Sequence, residues 1–330
     1  MINIAQIGCG YWGPNLLRNL VASKDCNTKY LVDLNAERRE FVKRTYPSVE
    51  VVDSVDTVLQ DASIDAVVIA TPAETHFELA IKSLQNGKHI FVEKPLASSV
   101  EEVDKIAAEA SSRNLTVMAG HTFIYNAAVR YVKKIINDGT IGELRYIYCQ
   151  RLNLGRIRSD IDAWWNLAPH DVSIIQYWLD DLEPTKVTRT GMDFIQNGID
   201  DVVFVNVTYP NKVIANIHVS WLDPTKIRRM VVVGSEKMVI YDDVAENKIT
   251  IYDKGIDIRA VLGENMDFDK PPSSEVTYRS GDIFIPKIDF VEPLKTELAH
   301  FMECVSTGAV PQTGIEHARN VVRILSKAER

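Results

Sequence analysis

Three glycines in Gly8-Cys9-Gly10-Tyr11-Trp12-Gly13, followed twenty residues after the last by Asp33, have the types and spacing that hold a dinucleotide. Gly8 permits a tight turn off a strand, Gly10 lets backbone approach a pyrophosphate, and Gly13 lets the next helix pack close to that strand. The amides of Tyr11, Trp12 and Gly13 would open the helix, where unsatisfied donors and the positive end of the dipole attract phosphate. Asp33 suits the ribose hydroxyls and repels a 2′-phosphate, so NAD rather than NADP is expected. A second candidate is Glu93-Lys94-Pro95. A lysine brought next to bound substrate can donate a hydrogen bond or carry a proton. The alternative is a surface lysine paired with Glu93.

These residues need a scaffold. Short apolar runs near Asn3 to Ile7, Thr28 to Val32, Ala66 to Ala70, His89 to Val92 and Thr116 to Met118 alternate with amphipathic segments. Runs such as Val67-Val68-Ile69-Ala70 are continuously apolar, as strands covered on both faces must be. The expectation is a doubly wound parallel sheet over residues 1–121, with the glycine turn, Asp33, Thr71-Pro72 and Glu93-Lys94-Pro95 converging beyond its strand ends. After a predicted helix from Tyr125 to Asn137, Val213, Ala215, Ile217, Val219 and Trp221 alternate with more polar residues. Residues 122–330 are therefore expected to form an α+β domain with a large open, mainly antiparallel sheet. Hairpins are predicted around Ser235-Glu236, a long loop from Gly255 to Asp282, and helices near Leu294 to Ser306 and Glu316 to Lys327.

The glycine fingerprint, Ala70-Thr71-Pro72 with His76, Glu93-Lys94-Pro95, and a later helical histidine together resemble the Gfo/Idh/MocA oxidoreductase family. The resemblance covers the whole chain. It implies hydride transfer between NAD(P) and a carbon of a sugar, polyol or sugar derivative. It further implies that Lys94 holds the reacting hydroxyl or carbonyl, that Glu93 and Lys94 border the nicotinamide, and that Thr71, Pro72 and His76 line the cofactor site. For His76, a helix-start residue satisfied by its neighbours is the competing reading. The family's Asp-x-x-x-His element is matched here by Asn166-Leu167-Ala168-Pro169-His170, which implies that His170 is the acid/base group. Asn166 departs from the pattern: an amide can orient an imidazole but cannot stabilise imidazolium as a carboxylate does. Asp171 points about 100° away on a helix and is a poor substitute.

Upstream, Arg151, Arg156 and Arg158 lie in what reads as a glycine-containing loop, where guanidinium forks suit carboxylate or diphosphate. Pairing with Asp160 and Asp162 is the plainer reading. Trp164 and Trp165 cannot both face one pocket, so one belongs to the core; Trp165 and Tyr125 are carried as substrate contacts, and His121 is held as a residue that could border the substrate. The favoured substrate is a nucleotide-linked hexose or uronic acid, with a free sugar or inositol, or a non-catalytic NAD sensor, as alternatives.

The 330 residues exceed what one core supports, and 46% apolar content fills two. A net charge of −8 without a basic block argues against nucleic acid. Cys9, Cys26, Cys149 and Cys304 show no clustering, and the histidines no ligand spacing, so neither disulfides nor a metal are expected. Without a leader or a span-length apolar run, a cytoplasmic protein without membrane contact is expected. The apolar face around Val213, Ala215, Ile217 and Val219 suggests a homodimer or homotetramer formed through the second sheet.

Overall fold

A computed structural model describes residues 1–155, 157–261 and 273–328. The chain divides into two compact units. One comprises Met1–Ala127, Val172–Asp181 and Phe290–Glu329, the other Ala128–Asp171 and Leu182–Asp289.

In the first unit β1 (Ile2–Ile7), β2 (Cys26–Val32), β3 (Glu50–Val52), β4 (Ala66–Ile69), β5 (His89–Glu93) and β6 (Val117–Gly120) form a parallel sheet in the order β3-β2-β1-β4-β5-β6. Helices α1 (Gly13–Ala22), α2 (Ala36–Thr45), α3 (Val55–Leu59), α4 (His76–Gln85) and α5 (Val100–Arg113) supply the crossovers. β4 is buried along its length, which is why its sequence reads as an unbroken apolar run. Local chemistry sets the helix starts: the Asn35 side chain accepts from the amides of Glu37 and Arg38, and the Ser99 hydroxyl from that of Glu102. The strand order reverses between β1 and β4, the point where ligands of such sheets bind.

Two late helices, α8 (Pro293–Thr307) and α9 (Ile315–Lys327), belong to this same unit. Leu294, Leu298, Phe301 and Met302 of α8 pack on Ile4, Phe91 and Met118 of the sheet. The expected division put these helices in the second domain. An apolar helical stripe states that something must be covered, not which sheet covers it.

The second unit holds most of α6 (Ala127–Asn137), the first part of α7 (Ala163–Trp178) and an eight-stranded mixed sheet. Its strands are β7 (Leu144–Leu154), β8 (Lys186–Met192), β9 (Val202–Thr208), β10 (Ile214–Ser220), β11 (Leu222–Gly234), β12 (Met238–Asp242), β13 (Ile249–Val261) and β14 (Ser273–Phe284), in the order β14-β13-β12-β11-β7-β10-β9-β8. All pairings are antiparallel except β7 with β10.

Two expectations are corrected here. Gly255 to Asp282 is not one long loop: Gly255–Val261 and Ser273–Asp282 extend a paired hairpin. None of its described side chains is buried, and Ile256 and Tyr278 are exposed, so no buried apolar face marked the strands. The face of Ala215, Ile217 and Val219 is not open either, because these residues are already buried within the single chain. The accessible face is the opposite one, where cross-strand register groups Tyr146, Tyr148, Phe204, Ile214 and His218. Phe204 and His218 stack there with ring centroids 4.1 Å apart.

Candidate functional site

The glycine turn leaves β1 with Gly8 at φ 94°, in the left-handed region that favours glycine. A Cβ on Gly8 would meet the Ala70 carbonyl at 2.6 Å, and one on Gly13 the Gly8 carbonyl at 2.7 Å. Gly10 differs: nothing lies within 4 Å of its missing Cβ, which leaves open space over the turn. Tyr11 and Trp12 are exposed, and α1 begins behind them with no acidic residue in its first turn. The amides of Gly10, Tyr11 and Trp12 make no backbone hydrogen bond among the described residues. Open space plus clustered donors at a helix start fits a pyrophosphate.

Asp33 ends β2, and its Oδ2 accepts from the Cys9 amide at 2.7 Å while Oδ1 accepts from Asn35 at 2.8 Å. The carboxylate thus ties the glycine turn to the next strand. Arg39 is occupied with the carbonyls of Asp33 and Leu34. Cys9, wholly buried, has its thiol pushed up to about 11 by burial and then by the Asp33 charge. Sequence reasoning missed Gln6, a buried side chain whose Nε2 donates to the carbonyls of Gly8 at 2.8 Å and Gly13 at 2.9 Å, bracing the turn. Its signal was a polar residue between Ala5 and Ile7 in the inner, buried part of the strand.

At the mouths of β4 and β5, Thr71 and Pro72 are accessible. His76 is not a lining residue. It is 1% exposed, with Nδ1 2.7 Å from the Pro95 carbonyl and Nε2 3.0 Å from that of Thr71. Burial lowers its pKa, and a neutral ring donates to one of those carbonyls at a time, so it is a brace between the two turns. Beside it, Glu93 packs over Gly120, where an added Cβ would lie 3.1 Å from the carboxyl carbon. Burial pushes the Glu93 carboxyl up to about 7. The charge of Lys94, the Lys94 amide and the Trp12 indole oppose that shift.

Tyr125 is also corrected. Its ring is 2% exposed in the core, and its hydroxyl is committed to His300 Nδ1 at 2.9 Å and Thr313 at 3.4 Å. His121 is 2% exposed, edge-on to His317, and burial drives its pKa well down.

In the second unit α7 starts on Asp162, whose Oδ1 accepts from the Trp165 amide at 2.9 Å and whose Oδ2 meets Arg189 at 2.6 Å. Arg189 also holds buried Asp200 at 2.6 Å. Trp164 is fully buried, while Trp165, Asn166 and His170 remain half-buried. Asn166 Oδ1 accepts from the Trp221 indole at 3.2 Å. The arginine loop begins as strand: Arg151 lies in β7 and forks onto Asp171 in a pair 5% and 2% exposed, and so is withdrawn from substrate. Arg158 forks onto Asp160 at the surface, the plainer of its two readings. Arg156 lies outside the described residues.

A parallel sheet in this order, with its glycine turn and carboxylate at the switch point, defines a dinucleotide-binding Rossmann domain. The chain belongs to the Gfo/Idh/MocA family: the oxidoreductase family model with an NAD-binding Rossmann fold matches residues 2–121, and the family's C-terminal domain model matches residues 129–240. The UDP-N-acetylglucosamine 3-dehydrogenase of Acidithiobacillus ferrooxidans is 31% identical over 68% of this chain and 68% of its own length. A crystal structure of the protein so named from that organism superposes over 99% of this chain and 96% of its own, with a TM-score of 0.80 at 25% identity. A 2,7-anhydro-N-acetylneuraminate hydratase of Escherichia coli is 28% identical over 66% of this chain, which spans 61% of that relative's length. The scyllo-inositol 2-dehydrogenase (NAD(+)) of Bacillus subtilis is 26% identical over 94% of this chain and 88% of its own.

Proposed function

We propose that the protein is an NAD-dependent oxidoreductase acting on a secondary alcohol or ketone of a sugar, and that this sugar is carried on a nucleotide. The observation that carries the reading is Lys94 directly after β5, next to half-buried Glu93, in a Rossmann domain whose glycine turn leaves open space at Gly10 for a pyrophosphate. Bound NAD would supply the hydride acceptor, or as NADH the donor. Gly10, Tyr11 and Trp12 would hold its diphosphate and Asp33 its adenosine ribose. Thr71 and Pro72 would border its nicotinamide half.

Lys94 would bind the reacting oxygen, its ammonium stabilised by ionised Glu93. His170 would take the hydroxyl proton during oxidation and return it to the carbonyl oxygen during reduction. Asn166, engaged with Trp221, stands where the family element it resembles has aspartate, and an amide can orient the imidazole without adding a charge beside it. Trp165 offers a flat face for a sugar or base, and Arg158, with Arg156, would meet phosphate in competition with Asp160.

The nucleotide reading draws on the UDP-N-acetylglucosamine 3-dehydrogenase likeness, and the free-polyol alternative on the inositol dehydrogenase, whose match runs through more of the chain. NADH absorbance with UDP-, GDP- and dTDP-sugars, beside free hexoses and inositols, separates them. Turnover with a nucleotide sugar alone is expected. Turnover with free polyols alone would remove the nucleotide, and cofactor binding without turnover on any sugar would leave a sensor.

Self-association through the second sheet is part of the same proposal, moved to the face bearing Tyr146, Tyr148, Phe204 and Ile214, which are between 37% and 46% exposed. Light scattering is expected to give a multiple of the chain mass, and Tyr148→Glu with Phe204→Glu to reduce it to one chain. A monomer at micromolar concentration for the unaltered protein would end the idea.

A further inference from the structure

Behind Lys94 lies a second carboxyl that the reaction as described does not use. Glu297 is fully buried on α8, inside the stripe of Leu294, Leu298 and Phe301. Three observations bring it to Glu93. Phe301 stacks edge-on against Phe91 with centroids 5.8 Å apart. From that contact, Glu93 is two strand residues away, about 6.6 Å, and Glu297 one helical turn, about 6 Å. Glu93 pairs in register with Gly120 and packs over it, while Thr122, two residues on, donates to Glu297 Oε2 at 2.6 Å. Finally, Oε1 of Glu93 and Oε1 of Glu297 are both buried and without a hydrogen-bond partner among the described residues. Two orphaned carboxyl oxygens in one apolar setting are each expensive alone and cheap together if a proton lies between them.

We propose that Glu297 is a positioning residue whose protonated carboxyl donates to Glu93, so that the pair carries one negative charge beside Lys94. Its consequence for catalysis rests on the role of Lys94 above; its chemistry does not. Glu297 holds its proton because burial and then the Glu93 charge push its pKa well up, against the opposing Thr122 bond. Glu93 is the member that ionises, since Lys94 favours its charged form. Of the other titratable groups on the surrounding elements, His121 Nδ1 and His317 Nε2 are also buried without a hydrogen-bond partner among the described residues, and the rest are engaged with one another. His317 on α9 meets Asp181 at 2.8 Å, and His121 after β6 packs on His317. Tyr125 meets His300 of α8, and Arg18 of α1 meets Glu292.

The test is infrared titration of the whole protein, with circular dichroism confirming the fold of each variant. At pH 8, where ordinary carboxyls are ionised, the unaltered protein is expected to keep a protonated-carboxyl band that Glu297→Gln abolishes. Glu93 is read as the titration lost in Glu93→Gln. Its midpoint is expected to stay in place in Glu297→Gln, which still donates an N–H. In Glu297→Leu, which cannot donate, it is expected to rise by about one unit. A merely structural Glu297 would leave that midpoint unmoved. An ionised Glu297 would make both variants lower it, by removing a negative neighbour. Either result, or absence of the band at pH 8, overturns the proposal. None of these readouts involves turnover, so failure of the sugar reading would show separately in the substrate panel.

Discussion

Lys94→Met is expected to lower kcat/KM on the identified sugar by roughly 10²–10⁴-fold, the range for losing a positioned proton-transfer or hydrogen-bonding group, with NADH affinity close to that of the unaltered protein. The separation follows from the layout of the first unit. The pyrophosphate turn is braced by Gln6 and Asp33, whose hydrogen bonds run to Gly8, Gly13, Cys9 and Asn35. The variant should fold, because losing the ammonium does not strand a buried carboxylate. Lys94 lowers the pKa of Glu93, so its removal raises that value further above about 7 and Glu93 takes up a proton. The sign for stability follows. A carboxyl whose folded pKa lies above its ordinary 4.5 favours the fold at low pH, and that contribution is lost as pH rises through about 7. In Lys94→Met the loss begins at the same pH, set by the unfolded carboxyl, and extends to higher pH. Thermal unfolding from pH 5 to pH 9 should show it, and kinetics at saturating cofactor should show the rate effect. A variant with kcat/KM near that of the unaltered protein would remove Lys94 from the reaction.

Much of the first unit was legible because its constraints act on single residues. Gly8 must be glycine where φ is positive and the Ala70 carbonyl is close, and Asp33 must end a strand near that turn. Continuous apolar runs marked β4 and β5 because both faces of each strand are covered. What escaped was set by partners far along the chain. Glu297 reads as an ordinary surface acid until α8 is known to lie against β5 and β6, and Tyr125 reads as a pocket residue until His300 and Thr313 claim its hydroxyl. His76 and Arg151 share that history: each has the right chemistry for a ligand and is consumed by structure. For the second sheet, alternation identified which residues of β10 share a face but not which face the chain itself buries. In the far half of β13 and in β14 no described side chain is buried, and Arg279 instead ties Glu236, Asp253 and Asp257 across partly exposed positions.

Arg151→Met is expected to destabilise the second unit by about 3–5 kcal/mol, measured by urea unfolding, because it leaves Asp171 buried without its counter-charge. Arg151 gives Asp171 contacts of 2.7, 3.1 and 3.1 Å, and neither side chain reaches solvent. Replacing both, as Arg151→Met with Asp171→Leu, should recover most of that loss, since a well-packed apolar pair is often as stable as the ion pair it replaces. The double variant then separates folding from function. Asp171 follows His170 directly on α7, and the fork fixes that turn of the helix against β7 with a geometry that two apolar side chains cannot impose. A misplacement of about 1 Å at a reacting group costs on the order of 10²-fold in rate. The expected outcome is therefore a stable double variant with kcat/KM down by about that factor and unchanged NADH binding. Recovery of stability and rate together would mean that the pair only fills space. Failure to recover stability would mean that the site cannot repack around apolar side chains, and that Asp171 is retained for the fold rather than for the histidine before it.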